Sequence, residues 1–403
     1  MTVSCAWISR GRLFVKRGDA DVMEIESDFA RNSLERDLRR AGNNAWKGRS
    51  GVWGDMGMAP PGEAPWENVA ATRQIRFVTL AAGDHADEIY YVLDLGAVGG
   101  LFSYDMERDE ETRLMHSQSF QARDLSRHPV DRQIAVSVVR DDGTMGLSIT
   151  RADGLFGKAV TLSDTIDEAP SWVPDGSRKL VFQSAAIGRN EAGVAVGQST
   201  RRIELLDLDA EEITKLVEEE NFDLLQPRML NDGSVVFIRR PYRSTHEKPA
   251  TFLETLQDVI YFPFRIARTA VYLFHFLSVA VTGKPLMTAG NQNPRQNDQN
   301  PWLVVYGHAI DTRKAIAAGV DKDPDRPLVP KDWELVRRTA DGSETTLARN
   351  VATFDADADG RIIFSNGRSV FEITADGQTN RIGEGDLVEK VVLLSLQEAA
   401  ADA

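Results

Sequence analysis

The side chains of this chain that could do chemistry are mainly carboxylates, and three of them follow an alternating pattern. Asp355, Asp357 and Asp359 precede Gly360, a spacing that resembles the start of a calcium-binding loop. Such a loop ends with a glutamate at its twelfth position, whereas residue 366 of this chain is an asparagine. The pattern therefore favours a hairpin turn with acidic side chains over a calcium site.

Histidine and cysteine give no support for a metal site or a nucleophile. The single cysteine is Cys5, and the histidines are His85, His116, His128, His246, His275 and His308. None of them forms the H-x-x-x-H or C-x-x-C pairs that bind zinc. The G-x-S-x-G motif of hydrolases and the phosphate-binding G-x-x-x-x-G-K-[ST] loop are also absent from the sequence. We expect no catalytic residue, no cofactor and no metal. Isolated carboxylates that line a central channel of the fold could still act in an enzyme without forming a linear motif.

A motif that recurs in degraded copies indicates the secondary structure of the chain. The best copy is SWVPDG at Ser171–Gly176, which is followed by the apolar run Lys179–Phe182. Weaker copies are MLNDG at 229–233 and DADG at 357–360, and HPVD at 128–131 fits more loosely. Each copy predicts a strand, a hairpin turn and a second strand. A unit of this size cannot bury its own apolar side, so several units must pack together.

The strand pattern recurs along the chain in about six sets of three or four strands. The N-terminal set, 3–26, lacks a fourth strand, and one strand at 387–396 is left over. A ring closes if this last strand completes the first sheet, and four-stranded sheets repeated around an axis form a β-propeller. The sequence therefore predicts an all-β fold, a six-bladed β-propeller with two mostly helical or irregular insertions. Two consecutive β-sandwiches are the alternative.

The best copy of the motif also carries a family resemblance. The segment WVPDGSRKLVF, Trp172–Phe182, resembles the repeat of TolB-like (PD40) propellers, whereas Asp232-Gly233 and Asp359-Gly360 match only its turn. The resemblance implies the propeller fold. TolB itself is periplasmic and has an extra N-terminal domain, and this sequence shows neither a secretory signal nor that domain. We therefore carry none of its partners over to this chain.

The first predicted insertion, 27–72, combines a helix with a Trp-rich loop. Ser27 is a suitable N-cap for a helix over 28–41, and Gly42 is a suitable residue to end it. The following loop is too long for an ordinary hairpin connection. We predict a second interaction loop here because tryptophan dominates binding hot spots, while aromatic side chains that hold the loop on the scaffold are the alternative. The predicted residues are Trp46, Lys47, Trp53 and Trp66.

The second predicted insertion, 245–332, contains an amphipathic helix at 251–282 and a polar linker at 289–301. Polar residues of the helix recur at steps of three, four or seven and form one narrow stripe, which leaves a wide apolar face. Pro263 should kink the helix. The helix could pack on its own propeller, span a membrane, or meet a membrane surface or a partner groove. We predict docking through Phe262, Phe264, Arg265, Arg268, Leu273, Phe274, Phe276 and Leu277.

Composition restricts the class of function. The 403 residues carry a formal net charge of -14, which argues against a nucleic-acid partner. The segment 1–19 has no uninterrupted apolar run typical of a signal peptide, so we expect a cytoplasmic protein, peripheral to the inner face of the membrane. The sequence predicts a non-enzymatic scaffold that mediates protein–protein interaction, with one or more protein partners. A propeller enzyme of hydrolase or lyase type, with channel carboxylates and with or without a divalent metal, is the alternative.

Overall fold

The computed structural model describes residues 3–36, 39, 75–95, 99–117, 120–140, 142–152, 157–191, 193, 195–242, 302–306, 308–311, 326–374 and 377–394. The chain divides into two compact units, one formed by Met1–Tyr242 with Pro301–Ala403 and the other by Arg243–Asn300. All described residues belong to the first unit.

Nearly all of the regular structure that is described consists of β-strands. The strands of the first half are β1 (Cys5–Ser9), β2 (Arg12–Lys16), β3 (Met23–Ile25), β4 (Arg76–Ala82), β5 (Glu88–Asp94), β6 (Gly99–Asp105), β7 (Glu110–Ser117), β8 (Ala122–Arg127), β9 (Gln133–Val139), β10 (Met145–Arg151), β11 (Lys158–Ala159), β12 (Thr165–Trp172), β13 (Lys179–Arg189) and β14 (Ala195–Gln198). The second half contains β15 (Arg202–Asp207), β16 (Glu212–Val217), β17 (Phe222–Met229), β18 (Val235–Pro241), β19 (Trp302–Val305), β20 (His308–Asp311), β21 (Glu334–Arg338), β22 (Glu344–Arg349), β23 (Thr353–Ala356), β24 (Ile362–Ser365), β25 (Ser369–Ile373), β26 (Thr379–Glu384) and β27 (Val388–Leu393).

Antiparallel pairing groups 24 of these 27 strands into six sets of four, which we number sheets 1 to 6, while β14 adds to β13 and β19 pairs with β20. Sheet 1 is β27-β1-β2-β3, sheet 2 is β4-β5-β6-β7, sheet 3 is β8-β9-β10-β11, sheet 4 is β12-β13-β15-β16, sheet 5 is β17-β18-β21-β22 and sheet 6 is β23-β24-β25-β26. A single parallel bridge between Met145 and Ile166 joins sheets 3 and 4. The first strands contact one another in the cyclic order β27, β4, β8, β12, β17, β23 and back to β27. The fold is therefore a β-propeller, as the sequence predicted.

The ring closes between the two ends of the chain. Strand β27 pairs with β1 in an antiparallel register that places Leu393 opposite Cys5 and Val391 opposite Trp7. The amide of Leu394 adds a hydrogen bond to the carbonyl of Ser4 at 2.9 Å. The predicted pairing of the C-terminal strand with the N-terminal sheet is confirmed.

The recurring motif forms the turns between first and second strands. Gly176, Gly233 and Gly360 all have a positive φ, between 77° and 87°, which is the left-handed region that glycine adopts without strain. In the best copy, the side chain of Asp175 accepts a hydrogen bond from the amide of Ser177 at 2.8 Å. The hairpin turns predicted at 175–176 and 359–360 are confirmed.

An apolar cluster lies between each pair of neighbouring sheets. Between sheets 3 and 4, for example, Ala135 and Leu147 pack with Trp172 and Phe182. Cys5 is buried in the cluster between sheets 6 and 1, as predicted, and burial raises the pKa of its thiol to about 12. Since both faces of each sheet are covered in this way, no sheet buries its apolar surface alone.

The residues 28–36 form a helix that packs on sheet 2. The hydroxyl of Ser27 accepts a hydrogen bond from the amide of Ala30 at 3.1 Å, which confirms the predicted N-cap. The ring of Phe29 lies 5.1 Å from that of Phe102 in β6. The predicted end of the helix at 41 lies outside the described residues.

Removing the closing strand should open the ring. We expect a chain that lacks 386–403 to unfold or aggregate, because β1 would be left with an exposed edge and β4 and β23 would lose their contacts with β27. Size-exclusion chromatography and thermal melting would measure this outcome. A truncated chain that stays monomeric with an unchanged melting temperature would contradict ring closure by β27.

Gly176→Val should destabilise the protein by about 1 kcal/mol or more, because a β-branched residue is strained at positive φ. A Cβ atom at this position would also lie 3.1 Å from the Val130 side chain. Denaturant unfolding measures the change. Gly197→Val is the matched control, since its φ is not positive and no atom lies within 4 Å of its added Cβ. An equal loss of unfolding free energy in the two variants would contradict the tight turn at Gly176.

Candidate functional site

The residues that the sequence singled out for binding lie outside the described residues. They are the docking residues Phe262, Phe264, Arg265, Arg268, Leu273, Phe274, Phe276 and Leu277, and the loop residues Trp46, Lys47, Trp53 and Trp66. The structure thus leaves both interaction sites as predictions. It shows instead a site that the sequence analysis missed, where the first strands meet.

Five of the six first strands contribute a buried polar side chain to this site, and a partly buried tyrosine from the β19–β20 hairpin joins them. We call this group the polar centre. Its members are Asp124 of β8, Glu168 of β12, Gln226 of β17, Thr353 of β23, Lys390 of β27 and Tyr306.

Irregular backbone on two first strands helps to build the polar centre. Ala169 and Gln226 have φ values of 50° and 52°, and each precedes a proline at a shift in strand register. A register shift of this kind is a β-bulge, which redirects side chains and backbone amides. Left-handed backbone at a residue other than glycine costs on the order of 1–3 kcal/mol, so the surrounding contacts must hold it.

The carboxylate of Asp124 accepts four hydrogen bonds in the polar centre. Its Oδ1 atom lies 3.1 Å from Lys390 Nζ and 3.0 Å from the hydroxyl of Tyr306. Its Oδ2 atom lies 3.2 Å from the hydroxyl of Ser137 and 3.2 Å from the amide of Ala169. Asp124 therefore connects sheet 3 with the closing strand, with sheet 4 and with the hairpin.

The charge state of Asp124 is set by these partners. Burial opposes its ionisation, but the ammonium of Lys390 and the hydrogen bonds from Tyr306 and Ala169 outweigh burial, and the pKa of Asp124 is lowered. A carboxyl group with a lowered folded pKa stabilises the fold fully above its unfolded pKa of about 4. This contribution is lost as the pH falls through the lowered pKa.

Gln226 uses each of its side-chain polar atoms and its amide. Its Nε2 atom lies 3.1 Å from the Tyr306 hydroxyl and 3.3 Å from Thr353 Oγ1. Its Oε1 atom accepts a bond from the amide of Phe354 at 3.2 Å, and its own amide donates to Gln183 Oε1 at 2.8 Å. These bonds join sheets 4, 5 and 6 and keep Gln226 in its left-handed conformation.

Tyr306 reaches the polar centre from the turn between β19 and β20. Its backbone carbonyl accepts a hydrogen bond from Arg240 at 3.0 Å, and Arg240 also donates to the carbonyl of Val305 at 2.8 Å. Asp223 fixes Arg240 through two bonds of 3.1 and 2.9 Å. Burial, and then the negative charge of Asp124, raise the pKa of the Tyr306 hydroxyl well above its usual value, so it remains a hydrogen-bond donor.

Further charged side chains around the polar centre are paired. Glu168 Oε2 accepts from Gln183 Nε2 at 3.0 Å and from Arg201 Nε at 3.3 Å. Burial raises the pKa of Glu168, although Arg201 opposes this, and the charge of Asp124 raises it further. Asp355 accepts from Arg228 at 2.7 Å.

The acidic run at 355–359 is part of this structure and of the neighbouring turn. The second oxygen of Asp355 accepts from the amide of Leu393 at 2.9 Å, and Asp357 accepts from the amides of Asp359 and Arg361. Asp359 accepts from Asn231 at 2.9 Å. The pattern is therefore the acidic hairpin turn that the sequence favoured. Within the described ranges, no three His, Cys, Asp or Glu side chains are grouped so that they could hold a metal ion.

Comparison with solved structures places this geometry in a known fold. A crystal structure of TolB from Acinetobacter baumannii aligns with 97% of this chain at a TM-score of 0.50 and 10% identity. The fold is a TolB-like β-propeller. The chain spans 66% of the length of that TolB. No family model matches the sequence, and no curated protein matches it significantly.

Two further solved structures align with this chain at lower TM-scores. A chain of a nidogen–laminin complex is 7% identical, with 98% of this chain and 99% of that chain aligned at a TM-score of 0.48. The acylaminoacyl peptidase of Pyrococcus horikoshii is 12% identical, with 77% of this chain and 39% of that chain aligned at a TM-score of 0.38. Neither alignment transfers an activity to this chain.

Lys390→Met should destabilise the TolB-like propeller by roughly 3–5 kcal/mol, because it leaves the buried carboxylate of Asp124 without its cation. Lys179→Met is a matched control. Lys179 also lies 3.1 Å from an aspartate, Asp207, but 41% of its side chain is exposed, so the loss should be about 1 kcal/mol or less. Urea unfolding at neutral pH measures both, and equal losses would contradict a central role for the Lys390–Asp124 pair.

Proposed function

We propose that this TolB-like propeller is a non-enzymatic scaffold that mediates protein–protein interaction. The observation that carries the proposal is the closed set of contacts in the polar centre. Asp124 accepts four hydrogen bonds, Gln226 uses all its side-chain polar atoms, and the Tyr306 hydroxyl joins the two. These groups therefore serve to hold five of the six sheets and the hairpin together.

The pairing of carboxylates in the polar centre and next to it supports the same proposal. A general base must be within hydrogen-bonding reach of a substrate proton. Asp124 is instead bonded to Lys390, and Asp355 is bonded to Arg228. Asp223 likewise binds Arg240. For these carboxylates, accepting a proton from a substrate would require breaking an ion pair in the core.

One observation favours the alternative, a propeller enzyme. The pKa of the buried Glu168 carboxyl is raised, and such groups are frequent at catalytic sites. Under the scaffold proposal, Glu168→Gln changes stability only. A substrate screen that finds hydrolase or lyase activity in the wild-type protein, abolished in a folded Glu168→Gln variant, would establish the enzyme instead.

We place the docking function in the segment 262–277, which the sequence predicts as the apolar face of an amphipathic helix. Burying each large apolar side chain contributes roughly 1.5–3 kcal/mol relative to exposure. Arg265 and Arg268 would favour an anionic membrane surface or an acidic partner surface, with a smaller effect at high salt. Docking would hold the protein at the cytoplasmic face of a membrane or on a protein partner. None of the helical residues that the structure describes belongs to a helix long and apolar enough to cross a bilayer.

Replacing Phe274 and Leu277 with Asp should release the protein from its docking surface, because two charges would interrupt the apolar face. Flotation with anionic and zwitterionic vesicles, and co-purification with mass spectrometry, measure binding to lipid and to protein separately. The melting temperature of the propeller should remain nearly unchanged.

Tyr272 and His275 belong to the predicted polar stripe of the helix and have the same spacing as Phe274 and Leu277. The matched control is therefore Tyr272→Asp with His275→Asp, which places two charges on the polar side. This control should retain binding. Global unfolding of the Phe274/Leu277 variant would show that the segment is core. If the Phe274/Leu277 variant binds lipid and protein as the wild type does, the segment 262–277 is not the docking site. The loop with Trp46, Lys47, Trp53 and Trp66 then becomes the predicted site.

A further inference from the structure

The β19–β20 hairpin is attached to the propeller in a way that leaves the sheets intact. Among the described strands, β19 and β20 pair only with each other. In the chain they lie between β18 and β21, and these two strands pair directly, from Val235 opposite Arg338 to Arg239 opposite Glu334. The hairpin could therefore leave its position without breaking a hydrogen bond of any sheet.

Side-chain contacts hold the hairpin at the end of the ring where the first strands begin. Leu303 and Val305 are buried in a cluster with Trp333, Ala352 and Leu387, residues that precede β21, β23 and β27. Arg240 binds two hairpin carbonyls, and its guanidinium lies 5.0 Å from the Trp333 ring. The hairpin thus rests on three sheets through a few contacts.

The tip of the hairpin connects two sheets through the side chain of Tyr306. The Tyr306 hydroxyl bonds to Asp124 of sheet 3 and to Gln226 of sheet 5. Gln226 has a left-handed backbone at φ 52°, and Tyr306 itself has a φ of 43°. Backbone strain at residues other than glycine is typical of functional and switching positions. Gln226 and Tyr306, which both have left-handed backbone, are thus bonded to each other.

We propose that the β19–β20 hairpin is a removable plug of the propeller, which withdraws Tyr306 from the polar centre while all six sheets stay folded. Withdrawal breaks the two bonds of the Tyr306 hydroxyl and the two Arg240–carbonyl bonds, and it takes Leu303 and Val305 out of their apolar cluster. It exposes Asp124, Gln226 and Thr353 to solvent. This plug is independent of the docking proposed for 262–277, and the two are tested separately.

Thiol labelling of a Thr353→Cys variant tests the plug. Thr353 is buried, and its hydroxyl lies 3.3 Å from Gln226 Nε2, so a thiol there reports access to the polar centre. The native Cys5 is buried, with a pKa raised to about 12, and labelling of the wild-type protein gives its background. Labelling should be faster than global unfolding and should depend only weakly on urea, because a local opening exposes little surface.

Adding Tyr306→Phe should increase the labelling rate at least about tenfold, since a hydrogen bond to a charged carboxylate is lost. Tyr104→Phe is the matched control, because the Tyr104 hydroxyl also donates to an aspartate, Asp109, away from the hairpin. An unchanged rate with Tyr306→Phe would overturn the proposal. Labelling with the full urea dependence of global unfolding would overturn it too.

Hydrogen exchange of the protein without a new cysteine gives a second measurement if Thr353→Cys does not fold. The segment 302–306 should exchange faster than β13, and Tyr306→Phe should speed exchange of the Phe354 amide, which donates to Gln226. Equal protection of the hairpin and β13 would show that the hairpin opens only with the whole fold.

Discussion

The buried ion pair between Asp124 and Lys390 is the interaction on which the rest of the structure depends. The two residues are far apart in sequence and lie on β8 and β27, 3.1 Å from each other. Charges removed from water are tolerated only where their partners are close and well oriented. The ion pair therefore adds to the apolar packing of the closing strand in fixing its register, since Lys390 meets this carboxylate in one register only.

The same carboxylate links closure to the hairpin. Because Asp124 Oδ1 accepts from both Lys390 and Tyr306, the position of the hairpin and the electrostatics of the closing strand are coupled. Gln226 repeats this arrangement with neutral groups, since it binds Tyr306, Thr353 and the amide of Phe354. With the bond from its amide to Gln183, the strained backbone of Gln226 is thus maintained by contacts from three other parts of the chain.

The fold could be predicted from the sequence because its signals are local. Alternating apolar residues and Asp-Gly turns mark single strands and hairpins, and Gly176 and Gly360 adopt the conformations that their turns require. The polar centre depends on residues that meet only after the ring forms, so no spacing in the sequence reveals it. One signal was present: Ala169-Pro170 and Gln226-Pro227 place a proline inside a strand, which indicates a bulge. The hairpin at 302–311 was missed because it follows a polar segment within a predicted helical and irregular insertion.

The direct pairing of β18 with β21 has a mechanical consequence. When the chain is held before residue 301 and pulled from its C-terminal end, the load reaches the hairpin and its side-chain contacts before it reaches β21 and the ladder of β21 with β18. Side-chain contacts separate one after another, whereas ladder bonds pulled along the strands resist together. Under such a load the hairpin would therefore detach before the sheets of the propeller unfold.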